Sequence, residues 1–199
     1  YYIFEKMHEE SLPPKPKELW KRRGMAATAL KLGTKTIRNA PVLERTQSPV
    51  DLTKLPFLQL WPEDGGYFNT LPLVYTESPV TKKHNLGIYR MQRYGKAETG
   101  MHWQIGKGGG FHYHEAEKIG RELPVTVFLG GPPAMIISAI APLPEDVPEL
   151  ILASLLADRK IAMTNDPRGD GRHRLLAEAE FAITGCVAPN TRKPEGPFG

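Results

Sequence analysis

The residues best suited to chemistry lie between positions 84 and 114. Asn85 and Arg90 share one alternating segment, and a second segment runs after a short polar turn into Gly106-Lys107-Gly108-Gly109-Gly110. Glycines let backbone N–H groups approach an anion closely, and the lysine adds a positive charge beside them. A helix predicted to follow would point its free N–H groups at the same place. The pattern predicts a pocket for a phosphate-bearing cofactor. The alternative is a hairpin with a flexible loop, in which Arg90 forms a surface ion pair.

The asparagine and the arginine of the first segment pose a geometric problem. In a regular strand, Asn85 and Arg90 point to opposite faces, so both reach one ligand only if a bulge near Gly87 redirects the chain or if the site wraps around the strand. The guanidinium can bind a phosphate or a carboxylate through two hydrogen bonds. Glu149 begins a predicted helix, and on its own it is a first-turn glutamate favoured by the helix dipole.

Five motifs follow one another in an order that is typical of a known family. They are Asn-Leu-Gly-Ile-Tyr-Arg-Met-Gln (85–92), Met-His-Trp-Gln (101–104), Pro-Pro-Ala-Met-Ile-Ile-Ser-Ala-Ile-Ala-Pro-Leu-Pro (132–144), Pro-Glu-Leu (148–150) and Pro-Glu-Gly-Pro-Phe-Gly (194–199). Together they resemble the UbiD family of reversible decarboxylases over residues 41–199. The glycine-turn variant at 105–113 and the segment 177–182 are most similar to the branch assigned to menaquinone biosynthesis by the futalosine route.

The resemblance implies a fold, a cofactor and a reaction. The fold would be α+β, a UbiD-like flavin-binding split β-barrel with flanking helices, preceded by a helical and irregular N-terminal arm. The cofactor would be prenylated FMN with a divalent metal, Mn²⁺ or Mg²⁺, which a monovalent cation can accompany. The reaction would be the non-oxidative decarboxylation of a small aromatic acid, a dihydroxynaphthoate-type menaquinone precursor in that branch. A flavin-binding module without decarboxylase activity is the alternative.

The resemblance also assigns roles to individual residues. Arg90 and Glu195 match the catalytic carboxylate–arginine network, and Asn85 and Glu149 match the metal ligands. The positions that hold the cofactor in the family are matched by Ile88, Tyr89, Arg90, His102, Trp103, Gln104, Lys107 and Gly108.

The chain departs from the family pattern at the glycine turn. Many relatives place a histidine there, which some use as a further metal ligand, whereas this chain has Gly106-Lys107. Three explanations stay open: Lys107 supplies the positive charge directly, water fills the position, or His112 or His114 reaches in. A pair of surface helix residues is the simpler interpretation of these two histidines.

The order of predicted elements divides the chain into two parts. Residues 1–56 are expected to form an arm and connector, with a helix at 17–33 and a strand near 42–45, and residues 57–199 the cofactor-binding domain. Basic residues 21–23 make the arm a candidate contact for a partner or an anionic surface. The predicted domain elements are strands at 57–61, 71–76, 85–94, 99–105, 124–129 and 175–187, and helices at 110–122, 131–141 and 146–157.

Composition excludes several classes of protein. A net charge of +4 with scattered basic residues argues against nucleic-acid binding. The single cysteine fits a reducing cytoplasm, and we find no transmembrane segment. By resemblance we expect a homo-oligomer that receives its cofactor from a flavin prenyltransferase.

The ends of the chain suggest a fragment. It starts with Tyr1 and stops at Gly199 inside the last family motif, so we expect that its C-terminal part is missing. The acidic residue that follows this motif in the family is the usual proton donor. This fragment alone would therefore be impaired in catalysis.

Overall fold

A computed structural model describes residues 28–104, 106–144, 147–169 and 171–199. Short 3₁₀ helices occur at Pro41–Leu43 and Leu52–Lys54. The strands and helices of the described residues are β1 (Thr34–Thr36), β2 (Phe68–Asn69), β3 (Leu73–Glu77), β4 (His84–Ile88), β5 (Met91–Arg93), β6 (Thr99–Met101), α1 (Gly108–Lys118), β7 (Leu123–Leu129), α2 (Pro133–Ile140), α3 (Glu149–Leu156), β8 (Ile161–Asn165), β9 (Arg174–Leu176) and β10 (Phe181–Val187). None of the helices in these ranges is long and apolar enough to cross a membrane.

Three sheets organise these strands. The largest is antiparallel, with the order β10–β7–β3–β4, so that β4 forms one edge. A second antiparallel sheet has the order β2–β5–β6, and in the third β8 lies between the parallel β1 and the antiparallel β9. Sheets combined with helices in this way confirm the α+β prediction.

The central strands of the largest sheet bury both faces. On β3, Leu73 and Tyr75 face one core together with Met135 of α2 and Leu150 of α3. Val74 faces the opposite core, which contains Tyr89. This alternation fixes which residues of the neighbouring strands point toward each core.

The predicted strand at 85–94 is wrong as a single element, because the chain leaves the sheet at Tyr89 and Arg90. β4 pairs with β3, whereas β5 pairs with β2 and β6 in another sheet. Gly87 makes the break possible, because a Cβ atom at this position would lie 2.6 Å from the Tyr89 ring. The break takes the place of the bulge expected near Gly87.

The strand predicted at 175–187 also divides into two. β9 and β10 belong to different sheets, and a turn at 177–180 joins them. The alternation of side chains continues across the turn, so periodicity alone does not reveal it.

Two further strand predictions are wrong. In the range 57–61 only Leu58 forms a bridge, because the Asp64 carboxylate accepts the backbone N–H groups of Leu60 and Trp61 at 3.0 and 3.1 Å. Near residue 42 the chain forms the 3₁₀ helix that starts at Pro41, since proline fixes a helical φ and lacks a donor for a sheet.

Several elements differ from prediction in extent. The helix predicted at 110–122 begins two residues earlier, at Gly108, and ends at Lys118 before Gly120, whose φ is +63°. β6 ends at Met101 rather than residue 105, and the short strands β1, β2 and β8 were not predicted.

The first part of the chain is described only in part. Most of the helix predicted at 17–33, the basic triplet included, lies outside the described residues, although residues 28–31 are helical and Gly33 has a φ of +83°. β1 pairs with β8, and Leu52 is buried in the core that holds Tyr89. The division into 1–56 and 57–199 stays a prediction.

Candidate functional site

The two residues predicted to hold a metal lie next to each other in the fold. Asn85 is buried on the edge strand β4, and Glu149 is the first residue of α3. The Glu149 carboxylate accepts the backbone N–H of Leu86, the residue after Asn85, at 3.1 Å. Burial raises the pKa of the Glu149 carboxyl, so a nearby cation would favour its charged form.

The donors at this place suit a hard divalent cation. An amide oxygen and a carboxylate oxygen are ligands that Mg²⁺ and Mn²⁺ accept, with water or phosphate completing the shell. Among the described residues, no three His, Cys, Asp or Glu side chains are arranged to hold a metal.

The glycine turn leads directly into α1, with Lys107 as its N-cap. The first glycines of the helix make room for protein side chains. A Cβ atom on Gly108 would lie 2.1 Å from Asn85 Oδ1, and one on Gly109 would lie 2.7 Å from Trp103 Cζ3. The Gly109 N–H donates to the Tyr89 hydroxyl at 3.0 Å, so this donor is already used within the protein.

Tyr89 contacts both Asn85 on β4 and Gly109 at the start of α1. Its hydroxyl accepts from Gly109 and, at 3.4 Å, from the Asn85 side-chain amide. Its ring packs edge-on against Trp103 with centroids 5.0 Å apart, and Trp103 stacks on Tyr113 at 6.0 Å. Tyr89 is buried, and its hydroxyl makes the polar contacts of this side chain. Contact between Tyr89 and a cofactor stays a prediction.

Arg90 lies in the break between β4 and β5 and forms a two-pronged ion pair. Its Nε and Nη2 donate to the two carboxylate oxygens of Glu195, both at 2.8 Å. The guanidinium also lies 4.9 Å from the centre of the Phe198 ring. Arg90 lowers the pKa of the Glu195 carboxyl, with a smaller contribution from His102, against a partial burial that raises it. Glu195 is therefore ionised near neutral pH.

Glu195 belongs to a segment outside any helix or strand, residues 188–199, which we call the strap. Side chains from several elements hold it in place. Tyr113 donates to the carbonyl of Ala188, Glu117 accepts from Asn190 and Arg192, Tyr94 donates to Pro194, Gln92 accepts from Gly196, and Asp64 accepts from Gly199. Sequence reasoning missed these anchors, because they obey no periodicity; only the position of Glu195 within its motif could point to the strap.

A cavity of about 520 Å³ opens beside the arginine–glutamate pair. His102 and Glu195 line it together with Trp103 and the apolar side chains of Met91 and Val127. The cavity therefore combines an ionised carboxylate with apolar walls, which suits a flat ligand that carries a charged group.

The remaining predicted residues surround this centre. Ile88 is half-buried at the end of β4, whereas Gln104 and Lys107 are exposed on the loop before α1. His112 is buried with its Nδ1 2.9 Å from the Thr76 hydroxyl, so the prediction of a surface residue is wrong for it. His114 is exposed. The question of a third metal ligand stays open.

The fold and the site together define a class of protein. It is an α+β domain in which the edge strand β4 and the start of α3 carry oxygen donors, and Arg90 and Glu195 form a half-buried ion pair. Residues 35–199 match the family model described as "3-octaprenyl-4-hydroxybenzoate carboxy-lyase Rift-related domain", and the chain belongs to the UbiD family.

Relatives agree with this family. A Chlamydia pneumoniae protein, named as one of the subunits of a 4-hydroxybenzoate decarboxylase, is 47% identical over 192 residues, which are 96% of this chain and 32% of that protein. The UbiD-class enzyme HmfF from Pelotomaculum thermopropionicum in complex with FMN is 27% identical with a TM-score of 0.78, over 88% of this chain and 40% of that one.

An evolved dimeric form of HmfF in complex with prFMN is 28% identical, with a TM-score of 0.78 over 87% of this chain and 41% of the other. These matches confirm the predicted UbiD-like fold. The chain spans 32–34% of the length of the curated relatives that it matches.

Proposed function

We propose that this chain is the cofactor-binding part of a prenylated-FMN-dependent, non-oxidative decarboxylase that acts on an aromatic carboxylic acid. The observation that carries the proposal is the Arg90–Glu195 ion pair, whose carboxylate lines a cavity of mixed polar and apolar walls. The oxygen donors lie close to each other in the fold: Asn85 contacts the Tyr89 hydroxyl, and Glu149 accepts the Leu86 N–H. Membership of the UbiD family and the flavin complexes of HmfF support it.

The residues divide between the two ends of the cofactor. Asn85, Glu149 and a Mn²⁺ or Mg²⁺ ion would bind the phosphate, and the exposed Lys107 adds charge at the start of α1. A monovalent cation can complete this end. The ring would lie among Ile88, Tyr89, His102, Trp103, Gln104 and Gly108.

When bound, the prenylated flavin supplies an electron sink for the carbon–carbon bond that breaks. The chain's own residues handle charge and protons. Arg90 provides a cation behind the Glu195 carboxylate for the substrate carboxylate, and the pairing with Glu195 fixes the direction of its donors. Because Arg90 lowers the pKa of the Glu195 carboxyl, Glu195 is ionised and orients Arg90 rather than donating a proton. The proton that replaces CO₂ comes from another group.

The finer assignments are part of the same proposal. The similarity of the glycine turn to the menaquinone branch favours a dihydroxynaphthoate-type substrate, and the apolar walls of the cavity suit such a ring. We further propose a cytoplasmic homo-oligomer that receives its cofactor from a flavin prenyltransferase, with HmfF in its evolved dimeric form as a structural precedent for assembly.

Absorbance and mass analysis of the full-length protein, co-produced with a flavin prenyltransferase, test this function. We expect bound prenylated flavin in the parent and its loss or depletion in Arg90→Ala. Arg159→Ala is the matched control, because Arg159 forms a similar two-pronged pair with Glu178 at 2.6 and 2.7 Å outside the site. A parent that carries no flavin would overturn the cofactor and the decarboxylase together. A flavin-loaded parent that releases no CO₂ would favour the binding module.

A further inference from the structure

His102 has a connection to the ion pair that a cofactor contact does not require. Its Nδ1 lies 2.8 Å from Glu195 Oε2, the same oxygen that accepts from Arg90 Nη2. Its backbone N–H donates to the Arg90 carbonyl at 3.0 Å. His102 therefore contacts both members of the pair, one through its ring and the other through its backbone.

The position of His102 follows from the second sheet. β6 ends at Met101, so the histidine directly follows a strand that pairs with β5, and β5 begins directly after Arg90. The sheet thus fixes the backbones of His102 and Arg90 relative to each other. Glu195 lies on no strand; its neighbours Pro194 and Gly196 are held by hydrogen bonds to Tyr94 and Gln92, and its carboxylate is held by Arg90 and His102.

The chemistry of the contact sets its direction. An ionised carboxylate only accepts hydrogen bonds, so the Nδ1 of His102 must carry the proton and donate. The side chain of Arg90 is flexible and could move together with the Glu195 carboxylate. A second hydrogen bond from His102, at a different angle, restricts the position of that carboxylate. Among the described residues, the other charged or titratable groups in the cavity that Glu195 lines include Tyr94, Glu98, Arg192 and Lys193. Lys193 pairs with Glu98, and Arg192 pairs with Glu117.

We propose that His102 is a positioning residue of the reaction: its Nδ1–H holds the Glu195 carboxylate so that the Arg90–Glu195 pair stays aligned along the cavity. This inference rests on the proposed decarboxylase function. It assigns to His102 a role distinct from holding the flavin, and it requires a donor at Nδ1 rather than a titrating ring.

Two substitutions separate these requirements. His102→Ala removes the donor, whereas His102→Asn keeps an N–H close to the Nδ1 position without a titrating group. Loss of a hydrogen bond to a charged group corresponds to a fall of roughly 10–100-fold in kcat. We expect this fall for His102→Ala in the flavin-loaded full-length enzyme. The kcat of His102→Asn should be within about threefold of that of the parent, because the hydrogen bond to Glu195 is kept.

The pH profile of kcat gives a readout that a purely structural role would not move. Without the hydrogen bond from His102, the pKa of Glu195 rises, so the acid limb of the kcat profile of His102→Ala should shift to higher pH. The acid limb of His102→Asn should stay near that of the parent. Arg159→Ala should match the parent throughout. The inference is overturned if flavin-loaded His102→Ala keeps the parent rate, or if His102→Asn is no better than alanine.

A second measurement does not depend on activity. The Arg90 Nε–H donates to Glu195, so its hydrogen exchange in ¹⁵N-arginine-labelled protein reports whether the pair is held. Exchange should be slow in the parent and in His102→Asn, and faster in His102→Ala. If the parent releases no CO₂, the proposed function fails, and the exchange rates still decide whether His102 positions Glu195. Equal rates in all three proteins would refute it.

Discussion

Replacing Gly108 with alanine should displace Asn85 and weaken the proposed binding of a divalent cation at Asn85 and Glu149. The added Cβ atom would lie 2.1 Å from Asn85 Oδ1 and 2.7 Å from its Cγ. Because Gly108 opens the helix and Asn85 lies on β4, neither backbone can retreat without disturbing the sheet. The Asn85 side chain must therefore rotate away and give up its hydrogen bond to the Tyr89 hydroxyl.

The magnitude follows from two opposing effects. Overpacking a buried site costs about 1–3 kcal/mol, and a buried amide left without its partner costs about 1–3 kcal/mol more. Alanine in a helix gains about 0.5–1 kcal/mol over glycine, and less at the first helical position. We expect a net destabilisation of roughly 2 kcal/mol.

Denaturant unfolding and Mn²⁺ titration of the full-length protein are the assays. Gly95→Ala is the matched control, because its Cβ atom would meet no heavy atom within 4 Å. It should leave stability within about 0.5 kcal/mol of the parent. Gly110→Ala, whose Cβ atom would lie 3.1 Å from the Gln104 carbonyl oxygen, should fall between the two.

The outcome that refutes this reasoning is clear. If Gly108→Ala unfolds like Gly95→Ala and binds Mn²⁺ as tightly as the parent, then Asn85 does not need the space above Gly108. The metal assignment at Asn85 would then lose its structural basis.

Three further predictions concern the supports of the site. Arg192 lowers the pKa of the Glu117 carboxyl to about 2, so this pair stabilises the fold above about pH 4.5 and the gain disappears as the pH falls toward 2. Glu117→Gln should cost about 1 kcal/mol at pH 7, since Arg192 is largely exposed, and should flatten the pH dependence of unfolding; an unchanged slope would contradict this. Tyr89→Phe leaves the Gly109 N–H without its acceptor and should cost about 1–3 kcal/mol in denaturant unfolding, so an unaffected midpoint would argue against it. Glu149→Gln removes a carboxylate whose charged form is disfavoured by burial, so the metal-free variant should be at least as stable as the parent at pH 7. The variant should gain no thermal stability from Mn²⁺. A Mn²⁺-dependent gain equal to that of the parent would exclude Glu149 as a ligand.

The family motifs grouped residues that periodicity does not connect, and the roles of these residues stay predictions. Arg90 and Glu195 are far apart in sequence, and only the family resemblance brought them together before the structure was known. Their direct pairing agrees with the predicted network. Glu149 likewise reaches β4, where it accepts the N–H of Leu86, the residue after Asn85.

Periodicity failed where the chain changes sheets. Alternation continues through Tyr89 and through the turn at 177–180, although the hydrogen-bonded partners change at both places. A pattern of period two records which face a residue occupies and does not record which strand lies beside it. The buried position of His112 was missed for a related reason, because its polar partner Thr76 lies on a distant strand.

The structure shows a different use of the glycine turn from the one that the sequence predicts. Glycines were expected to admit an anion, yet at Gly108 and Gly109 the nearest atoms belong to Asn85, Trp103 and Tyr89. The sequence indicates that space is needed at a glycine but not what fills it. Here the space serves to build the site from protein side chains.

The central claim is tested most directly by CO₂ release from naphthoate and benzoate acids by the flavin-loaded full-length enzyme and its Glu195→Gln variant. Glutamine keeps the shape of the side chain but removes the charge that Arg90 and His102 hold. We predict that the variant retains its flavin and that kcat falls by about 100-fold or more, with Glu178→Gln unchanged as the control. A Glu195→Gln enzyme that decarboxylates at the parent rate, or a flavin-loaded parent that releases no CO₂ from any of these acids, would contradict the account.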